Sequence, residues 1–121
     1  MDIEKFKKEV ADYGTSHGYT PTSFELEVCK CGNDLFLMYS DDTEGGCGTT
    51  CTKCDTDISV DNSGEYMEEV CQNTCTCGSE ELHVLVAKAR YENSNDPRWV
   101  YIGGMCPKCN LAGVYVDWAE R

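Results

Sequence analysis

Eight of the ten cysteines in this 121-residue chain form one arrangement twice. Cys29-Lys30-Cys31-Gly32 is followed by Cys51-Thr52-Lys53-Cys54, and Cys75-Thr76-Cys77-Gly78 by Cys106-Pro107-Lys108-Cys109. A close thiol pair, a loop and a second close pair is the spacing of a tetrahedral four-thiolate metal site. Cys29, Cys31, Cys51 and Cys54 are the expected ligands of one ion, and Cys75, Cys77, Cys106 and Cys109 those of a second. Thiolate is a soft ligand that suits zinc or iron, and two Zn²⁺ ions are the expected cofactors. Glycine after each C-x-C pair permits a left-handed backbone and lets amide N–H groups approach sulfur.

Neither unit has enough large apolar side chains to hold a core unaided, so a metal or disulfides must help. Read as a cytosolic chain, its thiols stay reduced and the metal is preferred. That compartment is expected because Met1 to Lys8 lacks the charged-then-apolar order of a signal peptide. No apolar run is long enough to cross a membrane.

The expected fold is small, metal-stabilised and mostly β, with two zinc-ribbon-like units in tandem behind a short N-terminal helix. Ile3, Phe6, Val10 and Tyr13 recur at helical spacing over residues 1–13, with Gly14 and Gly18 as breaks and Pro21 as a boundary. Phe24, Leu26 and Val28 alternate on a strand, Leu35 to Tyr39 form the next, residues 40–46 turn, and Ile58 and Val60 mark a short strand. In the second unit Leu82 to Ala89 and Arg98 to Ile102 are the expected strands, with residues 92–97 as the polar turn and Val114, Tyr115 and Val116 leading to Asp117 and Trp118. The interval between thiol pairs is nine residues longer there, which fits a longer hairpin. The order repeats as in a duplication. The divisions are residues 1–20 (helix and loop), 21–66 (first unit) and 67–121 (second unit), with Asp61 to Glu65 as the linker.

Cys47 and Cys71 are left over. Two inert thiols, with Cys47 on an apolar strand position, are preferred to a Cys47–Cys71 disulfide or to substitution for a ligand. His17, in a glycine-flanked loop, and His83, in a strand, are read as structural or solvent-facing. Trp99, Tyr101, Tyr115 and Trp118 are assigned to core packing ahead of an exposed patch. No Ser-His-Asp order, paired-carboxylate motif or phosphate-binding glycine loop is visible, and the expectation is a chain without catalysis.

The chain carries 22 acidic and 10 basic side chains, a formal charge of −12. An ion of charge +2 held by four thiolates adds −2, so two filled sites take the total to about −16. Such a charge disfavours direct contact with nucleic acid or an anionic membrane and favours a basic protein partner. Asp41, Asp42 and Glu44 in the first hairpin, with Glu92 and Asp96 in the second, are the candidate contacts.

The thiol pattern resembles the zinc-ribbon group, in which two knuckles on two hairpins surround one tetrahedral metal. Cys106-Pro107-Lys108-Cys109 is its most typical element. The sequence departs from that group at both C-x-C pairs and at Asp55 and Asn110, where glycine is common. The second unit, from Cys75 to Trp118, is also similar to small bacterial proteins of C-x-C-G…C-P-x-C type. Immunity proteins of bacterial toxin systems share the size and the acidity. The resemblance implies a module that binds and blocks a basic toxin domain. A transcription- or nucleic-acid-associated ribbon is the alternative, and a thiol redox protein is a third class. The third lacks the strand–helix context that a redox C-x-x-C needs.

Overall fold

The computed structural model describes residues 1–94 and 96–120. Asn95, within the expected polar turn, and Arg121, at the end of the second division, lie outside the described residues. Among the described residues there is one α-helix, α1 (Ile3–His17), and eight strands. These are β1 (Ser23–Leu26), β2 (Phe36–Asp41), β3 (Gly46–Cys51), β4 (Asp57–Ser59), β5 (Cys71–Asn73), β6 (Glu81–Arg90), β7 (Pro97–Met105) and β8 (Ala112–Ala119).

Helix α1 starts at Asp2, whose carboxylate accepts the Lys5 amide at 3.1 Å. Phe6, Val10 and Gly14 lie four apart and form its buried stripe. The expected end at Tyr13 is corrected to His17. Gly14 does not break the helix: a Cβ there would lie 2.5 Å from Pro21 Cδ, so its small size admits the returning chain. Gly18 ends the helix in a left-handed conformation (φ 107°), its N–H reaching the Gly14 and Thr15 carbonyls. His17 is therefore the last helical residue, not a loop residue, and its ring lies 4.9 Å from that of Trp99.

Each unit has four strands in one order: short strand, C-x-C knuckle, strand, hairpin, strand, C-x-x-C knuckle, strand. The duplication is legible in the register. Within the first unit β2 pairs with β3 and β3 with β4; within the second, β6 pairs with β7 and β7 with β8. The first strand of each unit, however, pairs in the other unit. β1 runs antiparallel to β6, with Leu26 opposite Leu85, and β5 runs antiparallel to β2, with Gln72 opposite Tyr39. A shift of 46 residues, which carries Cys29 onto Cys75, carries one of these pairs onto the other.

Between the exchanged strands β2 and β6 meet antiparallel through Phe36 opposite Leu82, residues related by the same shift. The fold thus has a local two-fold axis at that pair. One path of hydrogen-bonded strands, β4-β3-β2-β6-β7-β8, runs through both units. Because β2 and β6 start side by side and run in opposite directions, the β2–β3 and β6–β7 hairpin tips point to opposite ends of the molecule.

Two apolar clusters result. The shared core takes Phe36 and Met38 from the first unit, and Leu82, Val84, Val100, Ile102 and Trp118 from the second. β8 packs across it against β2 and β3. The second cluster lies between α1 and the outer face of β6–β8, where Phe6 and Val10 meet Leu85, Ala87, Tyr101 and Met105. The four aromatics named above divide between these faces, Trp99 and Tyr101 under the helix and Tyr115 and Trp118 in the shared core. A bulge permits the division. Ile102 pairs with Val116 but Gly103 with Val114, which leaves Tyr115 unpaired and re-aims β8 between its halves.

The expected linker over residues 61–65 is instead packed structure. It lies in two short 3-10 turns, Val60–Asn62 and Gly64–Tyr66. Ser63 is 2% exposed, its Oγ accepting from Cys47 N (2.9 Å) and donating to Val60 O (2.6 Å). Asp61 pairs with Lys88 of β6 at 2.7 Å. No helix among the described residues is long and apolar enough to cross a membrane.

Candidate metal centres

The eight expected ligands converge as two groups of four. Sγ atoms of Cys29, Cys31, Cys51 and Cys54 all lie within 4.8 Å of one another, as do those of Cys75, Cys77, Cys106 and Cys109. Four sulfurs each about 2.3 Å from one ion form a tetrahedron with edges of about 3.8 Å. The contacts between knuckles approach that value: Cys29–Cys54 at 3.5 Å, Cys31–Cys51 at 3.6 Å, Cys75–Cys109 at 3.4 Å and Cys77–Cys106 at 3.5 Å. The donor set and its spacing fit one soft divalent ion in each group, and two zinc ions match them. In both groups the first cysteine of each knuckle is buried in the shared core and the last is exposed. An ion there would join the core to the surface.

The knuckles owe their shape to the residues around the thiols. In the tight C-x-C turns the Gly32 amide donates to Cys29 O and the Gly78 amide to Cys75 O, each at 2.8 Å. Both glycines hold positive φ, 90° and 97°. In the C-x-x-C turns Asp55 and Asn110 sit at φ 62°, in the left-handed region where glycine is common in ribbons. Their short polar side chains tolerate it. The Lys53 amide points at Cys51 Sγ and the Lys108 amide at Cys106 Sγ, both at 3.4 Å.

These donors set the proton inventory. At Cys51 burial opposes ionisation, but the Cys54 amide, the Asn33 side chain, the Lys53 amide and the Cys31 thiol bring its pKa down to about 6. At Cys106 burial is likewise outweighed, by the Cys109 and Lys108 amides and the Cys77 and Cys109 thiols, again to about 6. Cys29 and Cys109 keep their protons. The Cys31 amide favours a Cys29 thiolate, yet burial and the Cys54, Cys31 and Cys51 thiols push Cys29 up to about 12. At Cys109 the Leu111 amide is overcome by the Cys75 thiol, burial and the remaining thiols, also to about 12. A divalent ion displaces these protons, so binding is coupled to pH.

Asn33 is the functional residue that the motif alone did not flag. Its amide donates to Cys51 Sγ (3.3 Å), Leu35 O (2.7 Å) and Thr52 Oγ1 (3.1 Å), tying one knuckle to the other. Its place directly after Cys-x-Cys-Gly, with two amide protons to give, was the available signal. His83 stays outside both sulfur groups. It is 8% exposed, and Nδ1 lies 3.1 Å from the Asp34 carbonyl, bracing the same knuckle.

The leftover thiols separate. Cys47 is fully buried, and burial first, then the Glu27 charge, pushes its pKa up to about 12. Cys71 is exposed on β5. Both sit opposite Ser40, on either side of β2. Two strand spacings separate them, about 10 Å, beyond the roughly 7 Å limit for a disulfide. The Cys47–Cys71 bridge is therefore ruled out.

The five candidate partner contacts are not brought together. Asp42 and Glu44 are exposed at the β2–β3 tip, and Glu92 and Asp96 at the opposite, β6–β7 tip. Asp41 leaves the set, because it is 1% exposed and internally satisfied. Oδ1 accepts from Thr43 N and Glu44 N, and Oδ2 from Glu68 N and Glu69 N, at 2.9–3.0 Å. Those amides, led by Glu44 and Glu69 and opposed by burial, hold its carboxyl below the usual range.

No family model, curated protein or solved structure matches the chain.

Proposed function

We propose that this chain is a zinc-binding protein-interaction module that works without catalysis and engages a partner with a basic surface. The observation that supports this most directly is the closed donor set. Four thiolates fill the positions of a tetrahedral ion and leave none for water or substrate, so each ion serves shape. The chain has a formal charge of −12, and Asp42, Glu44, Glu92 and Asp96 are exposed near the two hairpin tips. Prepositioned carboxylates lose little ordering entropy on binding, and complementary fields speed encounter. A toxin domain with a cationic active site is the narrower form of partner, and its inhibition the narrower role.

Affinity capture with the metal-loaded chain tests this reading. Basic proteins should be retained at low salt, released at high salt, and ignored by chain stripped with a chelator. Retention that survives chelation, or that is insensitive to salt, would count against it.

A further inference from the structure

The two-fold relation allows the outer faces of the two units to be compared residue by residue. On the second unit α1 covers the outer face of β6–β8. It presses tightly at Gly103, where a Cβ would lie 2.6 Å from Val10 Cγ2 and 2.9 Å from Phe6 Cε1. The 55-residue shift that carries Cys106 onto Cys51 carries Gly103 onto Gly48. A Cβ at Gly48 would meet only Ile58 O at 3.6 Å and Met67 Cε at 3.7 Å, ordinary contacts. No α-helix covers that side among the described residues. Residues 63–69 of the chain itself cover one end of it, where a Cβ at Gly46 would lie 2.9 Å from Ser63 O and 3.0 Å from Met67 Sδ and where Asp41 accepts the Glu68 and Glu69 amides. An open trough of about 410 Å³ lies there, lined by half-buried Tyr39, Gly48 and Met67 among others.

The walls of the two seats differ in chemistry. Where the second unit offers Met105, Ala112 and Val114 to the helix side, the same register positions of the first are Thr50, Asp57 and Ser59. Thr50 donates to Asp57 Oδ1 at 2.7 Å and fixes that carboxylate beside the trough. Charge divides in the same sense. Residues 21–70 carry 12 acidic and two basic side chains, whereas residues 71–121 carry six and five. Exposed Glu65 and Glu68 adjoin Gly64 and Met67 of the trough wall.

We propose that the open trough on this outer face of β2–β4 is the docking seat for a cationic amphipathic helix of a partner protein, lying beside residues 63–69 on the side that α1 covers in the other unit. The proposal rests on the binding-module reading above and adds its place and the shape of its ligand. The seat retains an apolar floor, which selects a helix with an apolar stripe, and its acidic rim selects Lys and Arg beside that stripe. The α1 helix of a second copy does not fit this description. Lys5, Lys7 and Lys8 are offset by Glu4, Glu9 and Asp12, and its apolar stripe is already buried in its own chain.

The test is an NMR titration of the metal-loaded full chain with a synthetic peptide of residues 1–18 carrying Glu4→Lys, Glu9→Lys and Asp12→Lys. Shifts should centre on Tyr39, Gly48, Thr50 and Asp57. Gly48→Leu, which fills the floor, and Asp57→Lys should each weaken binding about tenfold or more, while Glu9→Lys of the full chain, exposed on α1 over the other unit, leaves it unchanged. Each variant is first checked for two bound metals and an unaltered unfolding midpoint, and Asp57→Lys, at an exposed site, serves if Gly48→Leu disturbs the fold. Shifts confined to β6–β8, or indifference to both trough variants, would overturn the seat and leave the binding-module reading standing. Equal binding of a proline-interrupted peptide of the same charge would remove the helix from the proposal in the same way. If neither peptide binds at low salt, the seat is overturned and the reading beneath it loses its electrostatic basis as well.

Discussion

Asp41 and Asp42 are neighbours of one residue type with opposite assignments. Asp42 is exposed, whereas Asp41 points inward and gathers four backbone N–H groups from two turns. A carboxylate that accepts so many amides has a depressed folded pKa, and here it lies below the ordinary 3.8. Its contribution to stability is complete above the unfolded value and lost as pH falls through the folded one. Asp41→Asn should therefore lower the thermal midpoint at neutral pH, and the gap to the parent chain should close below pH 3.8. The difference between the two proteins isolates this group from metal loss, which both suffer in acid.

Cysteines divide just as sharply. Native mass spectrometry should find one ion in Cys51→Ser, because the change leaves the first group with three of its four sulfurs. It should find two in Cys47→Ala, since Cys47 lies in the core outside both sulfur groups. Equal stoichiometry in the two variants would show the ligand assignment to be wrong.

At the scale of elements, α1 is fixed by contacts that reach far along the chain. Lys5 Nζ donates to Asn110 O at 2.9 Å, Tyr13 donates to Asp117 at 2.9 Å, and Tyr101 donates to Tyr19 O at 2.8 Å. The helix also packs tightly on Gly103 of β7. Gly103→Val should cost about 1–3 kcal/mol by forcing Val10 and Phe6 away from β7. Adding Val10→Ala to Gly103→Val should recover part of the loss, and a double-mutant cycle on unfolding free energies measures the coupling. A strictly additive result would mean that the helix does not rest there.

The amphipathic pattern of α1 is visible in the sequence, yet its length is not. Gly14 reads locally as a breaker, yet it is helical, and the close pass of Pro21 that its missing Cβ admits depends on the returning chain. In the same way residues 61–65 read as a linker from composition alone, and their burial depends on Cys47 and Lys88, distant in the chain.

For the molecule as a whole, exchange of β1 and β5 makes each unit incomplete without the other. The backbone of β1 finds its partners on β6, and that of β5 on β2. A lone first unit would expose the β2 edge, and a lone second unit would lose both β1 and α1 from β6–β8. Fragments 1–66 and 67–121 should each remain largely unfolded with zinc present, and should recover the native amide spectrum when mixed. Two fragments that fold independently would contradict the exchange. Both sulfur centres also border the shared core, so exhaustive chelation should unfold the chain in a single transition.

Ligand spacing, the longer strands and the duplication follow from the sequence, because they depend on local spacing: two thiols in a tight turn, alternation along a strand, glycine after a knuckle. The short β5, with no apolar alternation, does not. Which strand pairs with which could not follow from it. β1 satisfies the same local rules beside β2 or beside β6, and the choice is made only when the core side chains of both units close on one another. That closure also decides which of two adjacent aspartates is buried and which of two related faces carries a helix. Burial depends on residues remote in sequence, and a local pattern carries no information about them.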